Sequence, residues 1–361
     1  LTDVTGVQTC ALPISAPTAQ ASNISGATNL YAGKTIDIVA KYSDADGYAD
    51  LDKLYIYLKN PEGSDIQYYA TSTGSTLTGQ TPTEVSGGTY IASLTYDITA
   101  STPTSNDITV VWHITPGWNW TLSTNIQYGV KAVDTKAVAS TEDYYSNKYS
   151  YENRLTIYGT LTATDKNGVA ITSGNWTYPN SDITFSGVRV TYYGTTSIYP
   201  NDSDFDVTIS NNLSQTATDT TSSGENISIT STTPNTTNTS IVYTLSISNL
   251  LTGGVDLSGN PTITIKTDKT SPSITGLSSS IYATQDKWYS SASNTFSWTP
   301  TETDSGIQDY TYIVDTNATI TSNTLLTTGT KIVISSITLN SIANGISYFH
   351  ILARDNVDNV S

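Results

Sequence analysis

The sequence contains no methionine, one cysteine and only two histidines in 361 residues. A single cysteine can form no internal disulfide, and cysteine clusters of the kind that hold zinc are absent. The histidines, His113 and His350, are about two domains apart, so one fold cannot combine them in a catalytic pair or triad. The motifs Gly-x-Ser-x-Gly and His-Glu-x-x-His are also missing. We therefore predict that the protein is not an enzyme.

Long apolar runs and basic residues are also scarce. No run approaches the roughly 20 apolar residues of a transmembrane helix, so we expect no membrane span. Fifteen Lys and Arg stand against 31 Asp and Glu, which gives a formal net charge of −16. A field of this sign repels phosphate backbones, and we expect no nucleic-acid partner.

The residues that are present favour strands and turns. Thr, Ser, Asn, Gly and Tyr dominate, and helical spacing of apolar residues is not found in any window of ten or more. Alternating patterns do recur, as in Val110, Trp112 and Ile114, which would share one face of a strand. The sequence predicts an all-β fold with Trp112 in its core.

A strand ending recurs along the chain. Ala132-Val133-Asp134 is followed six residues later by Ser140, and Ala353-Arg354-Asp355 by Ser361, with a related ending at Asp256. The intervals match an immunoglobulin-like sandwich, which takes roughly 100 residues. We predict three domains, 16–152, 153–267 and 268–361. In the second, the polar stretch from Thr216 to Ser240 is expected to be exposed loop with one short strand, Ile227 to Ile229.

Motifs of the third domain resemble a known family. They are Asp268-x-Thr270-x-Pro272-x-Ile274, Asp304-Ser305-Gly306-Ile307 followed by Tyr310, and Ala353-x-Asp355 with Asn359-x-Ser361. Together they are similar to bacterial Ig-like and fibronectin III-like repeats of large secreted surface proteins, although Asp358 replaces a family glycine. The resemblance implies tandem Ig-like β-sandwiches, an extracellular or cell-surface location, and an adhesive or spacer role. Extracellular glycans or other surface proteins would be the partners.

Residues 4–14 resemble the in-frame translation of a short-read sequencing adapter. The resemblance implies that residues 1–15 are a disordered artefact of an environmental sequence assembly. Cys10 lies within it, so the natural chain would have no cysteine. Because methionine is absent and the chain stops at Ser361 within the repeated motif, we expect an internal fragment of a longer protein.

The sharpest candidate site is Asp44-Ala45-Asp46-Gly47-Tyr48-Ala49-Asp50-Leu51-Asp52. Alternate aspartates around a glycine that permits a tight turn can wrap a hard cation in oxygen ligands. The segment begins like an EF-hand loop, but Tyr55 stands where the bidentate Glu would be. It predicts either a calcium site formed by Asp44, Asp46, Asp50 and Asp52 or a plain solvated turn. Calcium is the one cofactor that the sequence suggests.

Two other acidic features have similar alternatives. Asp202, Asp204 and Asp206 alternate and predict either a calcium site or an exposed loop that leads into a strand. Four aspartates lie near the predicted domain ends: Asp134, Asp256, Asp268 and Asp355. If calcium bound to them between domains, it would stiffen a rod formed by the domains.

Trp118 and Trp120 follow Pro116-Gly117 at a turn. Two exposed indoles would stack on sugar rings, whereas buried ones would cap the end of the sandwich. The first interpretation makes the protein a carbohydrate-binding module. A further alternative is a set of accessory domains of a large extracellular hydrolase. Our main interpretation is a non-catalytic structural or adhesive spacer.

Overall fold

The computed structural model describes residues 18–24, 29–71, 77–100, 106–219, 224–248, 259–282, 284 and 287–361. Strands dominate, which confirms the all-β prediction. The described strands pair within three successive segments, which we name unit 1 (residues 18–152), unit 2 (155–267) and unit 3 (273–361). The predicted artefact and the Asp256 ending lie outside the described residues.

Unit 1 forms two sheets. Its strands are β1 (Thr18–Ile24), β2 (Asn29–Tyr31), β3 (Ile36–Ser43), β4 (Leu51–Lys59), β5 (Ile66–Thr71), β6 (Leu77–Gln80), β7 (Thr83–Ser86), β8 (Ile91–Ala100), β9 (Asp107–Pro116), β10 (Ser123–Asp134), β11 (Asp143–Tyr144) and β12 (Tyr149–Glu152). Short 3₁₀ turns span Tyr48–Asp50 and Gly88–Tyr90. The strand orders are β1-β3-β9-β8-β6 and β2-β12-β10-β4-β5-β7, with β11 paired to β10.

Unit 2 also forms two sheets. Its strands are β13 (Leu155–Thr164), β14 (Ala170–Ile171), β15 (Trp176–Thr177), β16 (Asp182–Tyr192), β17 (Asp206–Asn211), β18 (Thr216–Asp219), β19 (Ile229–Thr232), β20 (Asn238–Ser248) and β21 (Thr262–Thr267). A 3₁₀ turn spans Asp202–Asp204. The strand orders are β14-β13-β16-β19 and β15-β21-β20-β17-β18.

Unit 3 is smaller. Its elements are β22 (Ser273–Ser279), β23 (Asn294–Thr301), β24 (Ile307–Asp315), α1 (Ser322–Thr328), β25 (Thr330–Ile332), β26 (Ser336–Leu339) and β27 (Tyr348–Asp355). The strand orders are β22-β23-β26 and β25-β24-β27. The backbone N–H of Thr324 donates to the Thr321 hydroxyl, which caps the start of α1.

The cores follow the alternation in the sequence. Trp112 is fully buried between buried Val110 and Ile114, as predicted. In unit 2, Phe185 and Tyr243 pack with ring centroids 4.7 Å apart. In unit 3, the rings of Trp298 and Tyr310 contact each other edge to face. Period-two burial of this kind places one face of each strand against the facing sheet.

The prediction of a single strand between Thr216 and Ser240 was wrong. The structure has β18 and β19 there, and β20 already begins at Asn238. Their backbones pair with β17, β16 and β21, so main-chain hydrogen bonds hold strands that are rich in Thr and Ser. Buried Ile227 and Ile229 supply an apolar anchor. Composition alone hides such strands, because backbone pairing does not depend on apolar side chains.

The repeated strand ending is a hairpin turn. In the first copy, the Oδ1 atom of Asp134 accepts backbone N–H groups of Lys136 and Val138 at 2.9 and 2.7 Å. In the second, Oδ1 of Asp355 accepts those of Val357 and Asn359 at 2.9 and 2.8 Å.

Each of these turns needs a residue at positive φ, and Ala137 and Asp358 both take φ 65°. Asp165 and Asn211 make the same turn inside unit 2. The motif therefore marks a local turn and is not confined to the ends of units.

Units 1 and 2 are joined by a buried junction. Two residues, Asn153 and Arg154, separate β12 from β13. The side-chain amide of Asn153 donates to the carbonyl oxygens of Trp118 and Trp120 at 2.7 and 3.1 Å. Across the junction, the indole of Trp118 stacks on the ring of Tyr192, whose hydroxyl donates to the carbonyl of Ala32. Buried side chains of both units form one continuous hydrophobic cluster.

Candidate metal centre

The acidic loop 44–50 connects β3 to β4 and crosses from one sheet of unit 1 to the other. Thr18, the first residue of β1, pairs with Ser43 at the end of β3, so the chain comes into unit 1 beside this loop. We call this the leading end of the unit. The start of β3 lies near Gly33, which contacts unit 2. The acidic loop is therefore at the end opposite the junction.

Three carboxylates converge in this loop. Asp44, Asp46 and Asp50 each place a carboxylate oxygen within 4.8 Å of the others. Asp44 is 2% exposed, and its Oδ1 atom accepts the backbone N–H of Asp46 at 2.8 Å. Its Oδ2 atom is buried and has no hydrogen-bond partner. A buried carboxylate oxygen without a partner is costly, and a bound cation would satisfy it.

One basic side chain reaches the cluster from the turn after β10. The Nζ atom of Lys136 lies 2.9 Å from Oδ2 of Asp50 and 3.8 Å from Oδ2 of Asp46. Hydrogen bonds from the Thr135 hydroxyl and from Lys136 lower the pKa of Asp50. In turn, the hydrogen bond to Asp50 raises the pKa of Lys136. Asp50 is thus held as a carboxylate and Lys136 as an ammonium.

Asp52 is not part of this cluster. It belongs to β4, whose pairing with β10 shifts register between Leu51 and Lys53, and the group of three converging carboxylates does not include it. Of the four aspartates predicted for calcium, the structure brings together three.

Asp134 is a nearby carboxylate that the sequence pattern of the loop did not include. It pairs with Leu51 across β10 and β4, and its charge helps to raise the pKa of Lys136. It is 1% exposed, and its Oδ2 atom is buried without a partner. Its place in the repeated strand ending, near a predicted domain end, was the sequence signal for it.

Unit 3 repeats this arrangement at its own leading end. Glu302 follows the end of β23 as Asp44 follows the end of β3, and its Oε1 atom accepts the N–H of Asp304 at 2.8 Å. The Oε2 atom of Glu302 is buried without a partner, as is Oδ2 of Asp44.

Asp268, from the segment between β21 and β22, completes a second group of carboxylates with Glu302 and Asp304. Burial, together with the charges of Asp268 and Asp355, raises the pKa of Glu302. Both acidic clusters could hold a metal ion. Of the aspartates predicted near domain ends, Asp134 and Asp355 lie in the two repeated turns and Asp268 is a member of this second cluster.

The other acidic segment has a different place. Asp204 is 6% exposed and lies at the junction of units 1 and 2, where burial raises its pKa. One of its carboxylate oxygens is 2.7 Å from the position that a Cβ atom on Gly33 would occupy. The segment is therefore not simply an exposed loop.

The two tryptophans predicted for sugar stacking are buried. Trp118 is 5% and Trp120 1% exposed. The Trp120 indole N–H donates to the carbonyl of Ser64 at 2.9 Å, and its ring packs against Tyr151. Because stacking on a sugar needs an open ring face, neither indole is available for it in this structure. They cap the end of unit 1, which was the alternative interpretation.

The histidines lie beside carboxylates in separate units. Nδ1 of His113 lies 2.7 Å from Asp37, and Nε2 lies 3.2 Å from Asp97. His350, in unit 3, lies 3.4 Å from Asp315.

Within the part of the chain that the structure describes, there is no helix with the length and apolar character needed to cross a membrane. Comparison with protein-family models returns no match, and comparison with curated proteins finds no significant similarity.

Proposed function

We propose that this chain is a non-catalytic spacer region of a secreted or cell-surface protein, built from Ig-like sandwiches. The observation that carries the proposal is the junction between units 1 and 2. A spacer must transmit orientation and load from one unit to the next, and a flexible linker would not do so. Here only two residues connect β12 to β13.

Side-chain contacts stiffen this junction on two sides. On one side, Trp118 and Tyr192 stack with ring centroids 5.8 Å apart and an interplanar angle of 15°. On the other, the Asn201 amide donates to the carbonyl of Gly33 at 2.7 Å, and Lys34 donates to the Asn201 side-chain oxygen at 2.7 Å. Buried aromatic contacts and hydrogen bonds between the two units favour one relative orientation of the units.

Mechanical unfolding tests the proposal. If the chain is pulled from its termini, we expect units 1 and 2 to unfold in one event that lengthens it by roughly 80 nm, at about 3.4 Å per extended residue. Two separate events of roughly half that length would contradict a rigid spacer.

A glycine substitution supplies a variant for this experiment. Gly33 has φ +71°, and an added Cβ would meet Asp204 across the junction. We therefore expect Gly33→Ala to separate the joint event into two. Gly168→Ala is the matched control, because Gly168 has φ +77° but open space around its Cβ position. Backbone strain is common to both variants, whereas only Gly33→Ala disturbs the junction.

We further propose that the ion for Asp44, Asp46 and Asp50 is calcium. The candidate ligands are carboxylate oxygens on an irregular loop, and calcium accepts flexible oxygen sets more readily than magnesium, which demands near-ideal octahedral geometry. The buried, unpartnered Oδ2 atom of Asp44 supports a bound cation over a plain turn.

Thermal unfolding in EDTA and in millimolar calcium tests this ion. Because a ligand that binds only the folded state raises the melting temperature, we expect a higher Tm in calcium. The variant Asp44→Asn keeps an acceptor for the N–H of Asp46. It should lose the part of the calcium-dependent increase in Tm that comes from binding in unit 1. An identical Tm under both conditions for the unsubstituted chain would contradict the proposal.

A further inference from the structure

We propose that Lys136 is a built-in competitor at the acidic loop of unit 1, so that calcium must displace its ammonium to bind. This inference rests on the proposed calcium site and concerns what sets its affinity. Its basis is the position of Nζ, 2.9 Å from Asp50 and 3.8 Å from Asp46. These are two of the three carboxylates that would ligate the ion.

The ammonium is an incomplete substitute for a divalent cation. It neutralises part of the charge on Asp46 and Asp50, but the Oδ2 atom of Asp44 has no hydrogen-bond partner. A lysine ammonium carries one charge and three donors, whereas calcium carries two charges and takes six to eight oxygens. A calcium ion at this position would coordinate the Oδ2 atom of Asp44, which has no hydrogen-bond partner when only the lysine is present.

The side chain is free to leave while its backbone stays fixed. The backbone N–H of Lys136 donates to Oδ1 of Asp134 in the hairpin turn, which anchors the main chain. The side chain itself is 45% exposed, and its four-carbon stem is flexible. Displacement therefore requires only rotation of this side chain into solvent.

Unit 3 shows the same turn without the lysine. The residue two positions after Asp355 is Val357, which is 4% exposed, whereas the residue two positions after Asp134 is Lys136. The competitor is thus a feature of unit 1 and is not required by the turn. In the absence of calcium, its charge offsets part of the repulsion among the three carboxylates of unit 1.

Calcium titration of the full chain by isothermal calorimetry tests this role. The titration is performed on the unsubstituted chain, Lys136→Gln and Lys59→Gln, and the heat measured with Asp44→Asn is subtracted as the background from other sites. Lys59 is the matched control, because it is 44% exposed and also faces a carboxylate, Glu142, at 3.6 Å. Lys136→Ala serves as a second variant, and circular dichroism verifies that each variant is folded.

We expect Lys136→Gln and Lys136→Ala to bind calcium roughly tenfold more tightly than the unsubstituted chain, since calcium no longer has to displace an ammonium that lies 2.9 Å from Oδ2 of Asp50. Lys59→Gln should bind like the unsubstituted chain. If the unsubstituted chain binds but the Lys136 variants bind no more tightly, the inference is overturned and the calcium proposal stands. If only the Lys136 variants bind, the competitor role holds and calcium binding by the natural site is contradicted. If no form binds, both proposals fail.

Discussion

The indole of Trp118 in unit 1 stacks on the phenol ring of Tyr192 in unit 2, with ring centroids 5.8 Å apart. Both residues are almost fully buried, and the Tyr192 hydroxyl also donates to the carbonyl of Ala32 in unit 1. Tyr193, the next residue, is 40% exposed and lies under the guanidinium of Arg154. Tyr192, the last residue of β16, thus belongs to the junction, whereas Tyr193, just after the strand, lies at the surface.

Substitution of Trp118 should destabilise units 1 and 2 together. We expect Trp118→Ala to lower the free energy of unfolding by about 3 to 5 kcal/mol, the usual cost of truncating a buried tryptophan. Chemical denaturation monitored by fluorescence and circular dichroism measures this. Trp288→Ala is the control, because Trp288 is 84% exposed and its loss should change stability little. Equal effects of the two substitutions would be incompatible with the junction described above.

The stability of unit 1 should depend on pH through His113. The hydrogen bond with Asp37, together with that with Asp97, raises the pKa of His113. Because the folded state binds this proton more tightly, the stabilisation is fully present below the unfolded pKa, about 6.5, and is lost as pH rises through the raised folded value. We expect the free energy of unfolding to decrease over this range. The variant Asp37→Asn should show a smaller decrease, and an unchanged pH dependence would contradict this role of the ion pair.

We expect the hairpin turn at Asp355 to depend more on a hydrogen-bond acceptor than on a charge. Asp355→Ala removes the oxygen that accepts the N–H groups of Val357 and Asn359, and we expect it to destabilise unit 3 by about 1 to 3 kcal/mol. Asp355→Asn should cost less than Asp355→Ala, because its amide oxygen can still accept the N–H groups of Val357 and Asn359 and only the bond that Asn359 Nδ2 donates to Oδ2 is lost. Asn211 already fills this position in the equivalent turn of unit 2. Denaturation curves that do not distinguish the two variants would show that the acceptor is unimportant.

The sequence predicted those features that depend on residues close together along the chain. Burial of Val110, Trp112 and Ile114 follows from a period of two along one strand, and the structure confirms it. The acidic loop was also visible, since Asp44, Asp46 and Asp50 are close in sequence. The structure does not bring Asp52 into this group, and the pattern did not reveal that β4 begins at Leu51 or that its pairing with β10 shifts register there.

Features that depend on strand pairing could not be predicted in this way. Lys136 is 86 residues from Asp50, and the two meet only because β10 pairs with β4. The stack of Trp118 on Tyr192 requires the relative placement of two units, about which alternation within either unit says nothing. For the same reason, the sequence left burial and exposure of Trp118 as alternatives.

The buried junction implies that units 1 and 2 form one rigid body. Residual dipolar couplings of backbone amides, measured on the deuterated full chain in a weakly aligning medium, test it most directly. If the junction is rigid, a single alignment tensor fits the couplings of the described strands of both units. Two tensors of different orientation or magnitude would show independent motion of the units and would contradict a rigid junction.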